Sequence, residues 1–258
     1  MADPSEPTVP HQHIPESEYD PEEGDVTVVG CLKGGSTKTT TANYLAFVRA
    51  MARKRRKPRP VWVLDADTIS QTTYDWAKEA KEKAKAAGDK GVAYPLQVER
   101  YPFEDLGDRL AELRAQGLDV FADIGGGNAA LFGEALKQAD RLIVPVSPSE
   151  FDTRRLLPTF AAAQSAALSH ARNGFDAYVL LAKCDTRTNS ARDARIRLTG
   201  VEVTNPLPVL QTEVSLLVDY ERSLGKIPKN LDEYAMVWDE MMAAEARQRA
   251  AVQTGAAN

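Results

Sequence analysis

The sequence predicts an α/β fold in which a mostly parallel central sheet carries helices on both faces, giving three α/β/α layers. Short apolar runs rich in β-branched residues alternate along the chain with longer segments of helical periodicity. This alternation is typical of parallel sheets whose strands are joined by right-handed helical crossovers. Polar residues that could carry chemistry follow the apolar runs directly, where such sheets bind their ligands.

The first elements have the clearest patterns. Residues 26–29 form a short β-branched run that indicates a buried strand. A helix is predicted over residues 40–54, because Tyr44, Leu45 and Val48 fall on one face. Further strands are predicted over residues 61–64, 93–98, 120–122, 141–146, 177–181 and 207–210. Further helices are predicted over residues 74–87, 103–116, 151–171, a segment through Arg192 and Leu198, and 231–252.

Composition limits the classes of function. With 258 residues and a hydrophobic fraction of 43%, the chain can form one sizeable core. Its formal net charge of -5 gives no general affinity for nucleic acid, so any DNA contact must come from a local basic patch. Two distant cysteines, Cys31 and Cys184, favour a reducing compartment over a disulfide framework. No apolar run approaches the ~20 residues of a membrane-spanning helix.

A glycine-bearing loop between the first strand and the first helix carries the most specific motif. A strand, such a loop, a lysine, a hydroxyl residue and a helix form a phosphate cradle, in which amides and the helix N-terminus face phosphate oxygens. Lys38 would reach the β- and γ-phosphates, and Thr39 would place its hydroxyl on Mg²⁺. The ordinary G-x-x-x-x-G-K-[ST] pattern does not fit, because Leu32 and Thr37 occupy its glycine positions. The alternative is a lysine- and glycine-bearing surface turn, which the flanking strand and helix disfavour.

The deviant pattern K-G-G-x-x-K-[ST] does fit, and it resembles the ParA/MinD family. This resemblance implies a P-loop NTPase fold of the deviant Walker A type, ATP and Mg²⁺ as cofactors, and an ATP-dependent sandwich homodimer. It also implies that Lys33 reaches the partner's nucleotide phosphates and acts in catalysis with Lys38, by stabilising charge during phosphoryl transfer. The family usually has glycine in place of Thr37. The implied nucleotide-binding residues are Lys33, Gly34, Gly35, Ser36, Thr37, Lys38, Thr39 and Thr40.

Acidic motifs follow two later strands. Asp65-Ala66-Asp67 resembles the family's D-x-D motif, whose second carboxylate orients the attacking water, which implies a catalytic role for Asp67. The alternative is a solvated turn. Asp123 resembles a Walker B carboxylate, which with Thr39 would hold Mg²⁺, usually through water. The glycines at 125–127 have the conformational freedom of a switch that senses the γ-phosphate.

Recognition of the base is less well defined by the sequence. Residues 182–185 follow a strand and look like a degraded N-K-x-D guanine motif, so Cys184 and Asp185 are candidates for contacts to the base. The ParA family often has an asparagine at the position of Ala182, contacting adenine. The residues themselves therefore prove neither base. The expectation of ATP rests on the overall resemblance, which covers roughly residues 25–240.

Basic residues are concentrated in two groups, one at residues 53–59 and one that includes Arg192, Arg195 and Arg197. The densest, residues 53–59, lies at the end of the first predicted helix and holds six cations in seven residues. Stabilising the helix macrodipole needs only one or two of them, although a solvated helix end is the alternative. The ParA family binds DNA without sequence preference, through salt-dependent phosphate contacts. The candidate DNA-binding residues are Arg53, Lys54, Arg55, Arg56, Arg192, Arg195 and Arg197.

Three functions are compatible with these motifs. The first is a ParA-like partition ATPase, whose dimer binds non-specific DNA and whose hydrolysis is stimulated by a ParB-like centromere-binding adaptor. The second is a MinD-like membrane-cycling ATPase, which the lack of a C-terminal amphipathic anchor disfavours. The third is a related positioning or conjugation-linked ATPase with a protein cargo, and Thr37 adds the option of a binding-only module. We expect the first, located in the cytoplasm and on the nucleoid, with no membrane partner.

The chain is expected to have three parts. Residues 1–24 are acidic and proline-rich with almost no apolar periodicity, which predicts a disordered arm. Residues 25–245 are predicted to form the P-loop ATPase domain. Residues 246–258 are predicted to be a C-terminal tail.

Overall fold

A computed structural model describes residues 23–32, 37–51, 59–87, 93–201, 203 and 205–255. The strands in these ranges form one sheet in the order β3-β2-β4-β1-β5-β6-β7, and all pair in parallel. The predicted α/β class with a parallel sheet is therefore confirmed. The strands are Val26–Gly30 (β1), Val61–Asp65 (β2), Gln97–Arg100 (β3), Asp119–Ile124 (β4), Arg141–Val146 (β5), Asp176–Cys184 (β6) and Val214–Ser215 (β7).

Helices cover both faces of the sheet, which confirms the three predicted layers. Helices α1, α2 and α9 pack on one face, and α3, α4, α6 and α7 on the other. Neighbouring residues of a strand point to opposite faces, so Val28 packs in one core and Val29 in the other. The helices are Lys38–Met51 (α1), Thr72–Ala86 (α2), Leu106–Ala115 (α3), Ala129–Leu136 (α4), Glu150–Thr153 (α5), Leu156–Ala167 (α6), Ser190–Thr199 (α7), Val218–Glu221 (α8) and Asp232–Gly255 (α9).

Prolines account for three differences from the predicted elements. The helix predicted over residues 151–171 is split into α5 and α6, because Pro158 has no N–H and fits only in the first turn of a new helix. Pro95 precedes β3, which starts later than predicted. Pro208 lies in the strand predicted over residues 207–210, where Val209 forms only an isolated bridge with Val179.

Helix α4 has no counterpart in the sequence prediction. It is short and contains Gly133, which weakens its helical pattern. Asn128 fixes its start by accepting a hydrogen bond from Leu131 N at 3.0 Å.

The last helix runs through the predicted boundary at residue 245. Glu245, only 6% exposed, binds Arg141 at the start of β5, so the predicted C-terminal tail begins inside α9. Most of the predicted arm, residues 1–22, lies outside the described part of the chain. Of the helices the structure describes, none is both long and apolar enough to cross a membrane.

Candidate functional site

A cavity of about 620 Å³ opens where several strands reach their carboxyl ends. One end is bordered by residues 37–40, at the start of α1, together with Asp67. The other end is bordered by residues 214–217 and by Tyr220. Parallel sheets bind ligands at this edge, and here the predicted phosphate cradle and the D-x-D motif meet.

Asp123 lies at the end of β4 in a network of hydroxyl groups. It is only 2% exposed, and its Oδ2 accepts hydrogen bonds from Thr39 Oγ1 at 2.7 Å and Thr73 Oγ1 at 2.8 Å. Asn43 supports both threonines, donating to Thr39 O and to Thr73 Oγ1 at 2.9 Å each. Burial raises the pKa of Asp123, while the two hydroxyls and the charge of Lys38 act against the rise. The structure thus brings together the two predicted metal ligands, Thr39 and Asp123.

These two side chains fit a magnesium site by their chemistry. Hydroxyl and carboxylate oxygens are the ligands that Mg²⁺ prefers in proteins. In the described ranges, no group of three or more His, Cys, Asp or Glu side chains is arranged to hold a metal. Oxygens from water or a bound phosphate would therefore complete the coordination shell.

The D-x-D motif folds its own loop. Asp65 is fully buried at the end of β2, and it accepts hydrogen bonds from Tyr74 N at 2.9 Å and Asp67 N at 3.3 Å. Burial raises the pKa of Asp65 to about 6. Asp65 therefore anchors the loop to α2, and the second aspartate is the one that faces the cavity.

Asp67 is held as an anion at the rim of the cavity. Its Oδ1 accepts from Ile69 N at 2.9 Å and Ser70 N at 3.1 Å, and its Oδ2 accepts from Ser70 Oγ at 3.1 Å. Partial burial acts to raise the pKa of Asp67, but these hydrogen bonds outweigh it, so the pKa is lowered. A Cβ at Gly125 would lie 2.6 Å from Asp67 Cγ. A glycine at this position therefore makes room for the carboxylate.

Thr37 adopts a backbone conformation that suits glycine. Its φ is +59°, and a β-branched residue is strongly disfavoured there. Its carbonyl accepts the first helical bond of α1, from Thr41 N at 2.9 Å, so the strained residue fixes where the helix starts. Lys38, which is 8% exposed, follows it and lines the cavity. The predicted residues Lys33, Gly34, Gly35 and Ser36 lie outside the described ranges.

Neither of the two candidates for base contacts is among the residues that line the cavity. Cys184 is buried in the core, and burial raises the pKa of its thiol to about 12. Asp185 binds Arg187 through both oxygens, and those hydrogen bonds lower its pKa to about 2. The residues of β6 that line the cavity are Ala182 and Lys183. Lys183 has a φ of +58° at a register shift between β6 and β7, which changes the direction of the side chains there.

The far wall of the cavity was not predicted from the sequence. It is built from residues 214–217, Tyr220 and Tyr234, with Trp76 of α2. Tyr234 of α9 is almost fully buried, and its hydroxyl lies 3.4 Å from Thr41 Oγ1 of α1. Its residues come from α2, the segment around β7 and α9, so no single continuous motif spans the wall.

The candidate DNA-binding arginines on α7 differ in their contacts. Arg195 donates to Leu210 O at 2.7 Å and to Glu213 Oε1 at 3.0 Å. Arg197 donates to Pro148 O at 3.0 Å. Both therefore hold neighbouring loops. Arg192 and Arg197 are exposed, whereas Arg195 is half-buried. The candidates Arg53, Lys54, Arg55 and Arg56 lie outside the described part of the chain.

Comparison with known proteins gives matches only at the level of structure. No family model and no curated protein matches the sequence. A Borrelia burgdorferi protein assigned to plasmid partition, bound to AMPPNP, matches with a TM-score of 0.60 and 12% identity, over 86% of this chain and 100% of that one. The cell division ATPase MinD of Pyrococcus furiosus matches with a TM-score of 0.57 and 12% identity, over 86% and 99%.

A third similar structure has a different activity. Cobyrinic acid a,c-diamide synthase of Mycobacterium smegmatis, with bound ADP and magnesium, matches with a TM-score of 0.55 and 19% identity, over 78% of this chain and 91% of that one. At such low identities these likenesses establish a common fold. The chain therefore has the α/β fold of the ParA/MinD-type P-loop ATPases.

Proposed function

We propose that the chain is a Mg²⁺-dependent ATPase of the ParA/MinD type, and within that group a ParA-like DNA-partition ATPase. The observation that carries this proposal is the arrangement around Asp123. Its carboxylate binds the hydroxyl of Thr39, which lines the cavity together with Lys38 and Asp67. A phosphate-binding lysine, a hydroxyl–carboxylate pair and an anionic aspartate are the groups that phosphoryl transfer to water requires.

Each of these residues has a separate task in the proposed reaction. Lys38 binds the β- and γ-phosphates at the N-terminus of α1. Thr39 and Asp123 would hold Mg²⁺, which when bound neutralises charge on the phosphates. Asp67 accepts a hydrogen bond from the attacking water and orients it, which its lowered pKa favours because the anion is the better acceptor. Lys33 of a second copy completes the charge stabilisation.

ATP is proposed as the substrate on two grounds. The deviant two-lysine pattern resembles a family of ATPases. Two similar structures also hold an ATP analogue or ADP. The cavity itself has an apolar far wall that suits a purine ring, without distinguishing adenine from guanine.

The partition role adds three proposed partners: a second copy of the chain, non-specific DNA and a ParB-like adaptor. Sandwich dimerisation follows from the role proposed for Lys33. DNA binding is supported by the basic run at residues 53–59 and by the exposed Arg192. The intramolecular contacts of Arg195 and Arg197 make those two weaker candidates. Cytoplasmic location on the nucleoid is part of the same proposal.

The test measures molecular mass and DNA retention with and without ATP and Mg²⁺, for the wild type and two variants. We expect the wild type to dimerise and to retain DNA only with ATP, with retention falling as salt rises. Asp67→Ala removes the group that orients water, so it should keep ATP binding and stay dimeric. Glu112→Ala, an exposed acid paired with Arg109 outside the cavity lining, should behave as the wild type.

Several results would contradict the proposal. DNA retention of equal strength without nucleotide would exclude the ATP switch. A monomeric Asp67→Ala variant under ATP would exclude the role given to Asp67. Tighter binding of GTP than of ATP would overturn the choice of substrate. An ATP-dependent dimer that retains no DNA at low salt would favour the alternative of a protein cargo.

A further inference from the structure

One carboxylate behind the far wall of the cavity binds two of the elements that form it. Glu233 lies in the first turn of α9, and its Oε1 accepts a hydrogen bond from Ser215 Oγ at 2.6 Å. Its Oε2 accepts from Ser215 N at 3.0 Å and from Tyr220 Oη at 2.8 Å. Ser215 and Tyr220 both line the cavity. Glu233 therefore joins two separate segments of the wall through three hydrogen bonds.

These segments have little regular structure of their own. Strand β7 contains two residues and α8 contains four. Elements this short contribute few backbone hydrogen bonds, so their position depends on contacts from outside. Hydrogen bonds to a carboxylate are stronger than those between neutral groups. Burial and the bond to Glu233 both raise the pKa of Tyr220, which keeps its hydroxyl protonated as a donor.

The same turn of α9 also contacts α1, whose first residues line the cavity. Tyr234, next to Glu233, lines the cavity, and its hydroxyl lies near Thr41 in the helix that follows the phosphate loop. If residues 37–40 hold the phosphates, the base of a bound nucleotide extends toward the wall at residues 214–217 and Tyr220. The position of that wall then decides how well the base packs.

We propose that Glu233 is a positioning residue for the nucleobase, because it fixes the wall on which the base packs. The proposal rests on the nucleotide-binding function proposed above. Glu233 itself is not among the residues that line the cavity, so it acts through Ser215 and Tyr220. Its removal should weaken contacts to the base and leave contacts to the phosphates intact.

Glu240 provides a matched control on the same helix. It accepts hydrogen bonds from Gln211 N at 2.6 Å and Thr212 N at 2.8 Å. It therefore also fixes a loop to α9 through a carboxylate. Neither of these partners lines the cavity. Glu240→Gln and Glu233→Gln both replace a carboxylate that accepts hydrogen bonds from a neighbouring segment. Only Glu233→Gln affects the far wall of the cavity.

The experiment measures the affinity of the full chain for ATP, ADP and inorganic tripolyphosphate by calorimetry, with thermal unfolding of each nucleotide-free variant. Glu233→Gln should weaken ATP and ADP binding by a similar factor, about tenfold, since strong hydrogen bonds to a charged acceptor are lost. Tripolyphosphate affinity should be unchanged. Glu240→Gln should leave all three affinities unchanged. Tyr220→Phe, which removes one bond and keeps the ring, should give a smaller loss and serves if Glu233→Gln fails to fold.

Three other results would overturn either the role of Glu233 or the proposed function. If the wild type binds ATP and both wall variants bind it equally well, the role of Glu233 is excluded while the proposed function stands. Equal losses for tripolyphosphate and ATP, or the same loss in Glu240→Gln, would show a general structural role for α9 and overturn the proposal. If the wild type binds none of the three ligands, the proposed function itself fails.

Discussion

The sheet has an amino edge and a carboxyl edge, where its parallel strands begin and end. These two edges stabilise buried charge in different ways. At the amino edge, carboxylates are paired with arginines: Arg49 binds Asp119 at 2.7 Å, and Arg141 binds Glu245 at 2.8 and 3.0 Å. Asp140 binds two further arginines. At the carboxyl edge, Asp123 accepts from two threonine hydroxyls, and Asp65 accepts from backbone amides.

This difference separates a structural function from a binding function. A buried carboxylate that already binds arginine has its charge compensated, and removing either partner leaves an unpaired charge. At the carboxyl edge the hydrogen-bond donors are neutral and the nearby charge of Lys38 offsets only part of the negative charge, so a metal ion or a bound cation can offset the rest. We therefore assign the amino edge to stability and the carboxyl edge to ligand binding. Variants at both edges test this assignment, from the largest expected effect to the smallest.

The first variant, Arg141→Ala, removes the cation of a buried pair at the amino edge. Because Glu245 would remain buried without its partner, we expect a loss of about 3–5 kcal/mol in the free energy of unfolding. ATP affinity of the folded protein should not change. Chemical denaturation and calorimetry measure the two quantities. Arg154→Ala, which breaks an exposed pair with Glu150, should change stability by less than about 1 kcal/mol. A large loss of ATP affinity in Arg141→Ala would break the division between the edges.

The second variant, Asp65→Asn, tests the charge at the carboxyl edge through the pH dependence of the free energy of unfolding. The pKa of Asp65 is raised from 3.8 to about 6, so the folded state favours the protonated acid. The stability that the protonated acid contributes is present at low pH and is lost as pH rises from about 4 to 6. Asparagine does not ionise. The stability of Asp65→Asn relative to the wild type should therefore increase over this range, by up to about 3 kcal/mol.

Asp67 provides the matched comparison for this pH dependence. Its pKa is lowered, so its contribution is present above its ordinary pKa and is lost as pH falls. Asp67→Asn should therefore lose stability relative to the wild type on going from low to neutral pH, the opposite of Asp65→Asn. Denaturant unfolding at several pH values measures both. Equal slopes for the two variants would contradict the environments that the structure assigns to them.

The third variant, Lys38→Ala, removes the cation at the phosphate end. We expect ATP affinity to fall by about 100-fold or more, because charge-assisted hydrogen bonds to the phosphates are lost. The nucleotide-free protein should keep its fold. Lys226→Ala is a suitable control, since this lysine lies outside the cavity lining. Retained ATP affinity in Lys38→Ala would exclude the P-loop assignment.

The two ends of the cavity differ in how far the sequence can predict them, for a physical reason. Residues 37–40 belong to a single stretch of chain that follows β1 and enters α1, so their chemistry is visible as a continuous motif. Glu233, Ser215 and Tyr220 meet only when the chain has folded, and the contact between Tyr234 and Thr41 spans 193 residues. Their positions depend on packing and not on a local pattern.

The side chains after β6 illustrate a second limit. The prediction of Cys184 and Asp185 as base contacts rests on the likeness of residues 182–185 to a nucleotide motif, and it stays a prediction. The shifted register at Lys183 interrupts the alternation of side chains, so Ala182 and Lys183 line the cavity while Cys184 turns into the core. Periodicity alone does not reveal such an irregularity. The fold class was easier to predict because it depends on many residues at once.

The last variant, Thr37→Gly, has the smallest expected effect. Thr37 has a φ of +59°, which costs a β-branched residue about 1–2 kcal/mol. Glycine removes this strain but adds freedom to the unfolded chain, so we expect a net gain of about 1 kcal/mol in the free energy of unfolding. Thr40→Gly, inside α1, should instead lose about 1 kcal/mol. A destabilised Thr37→Gly variant would show that contacts of the threonine side chain outweigh the backbone strain. It would also mean that this chain has adapted its phosphate loop to a residue other than glycine.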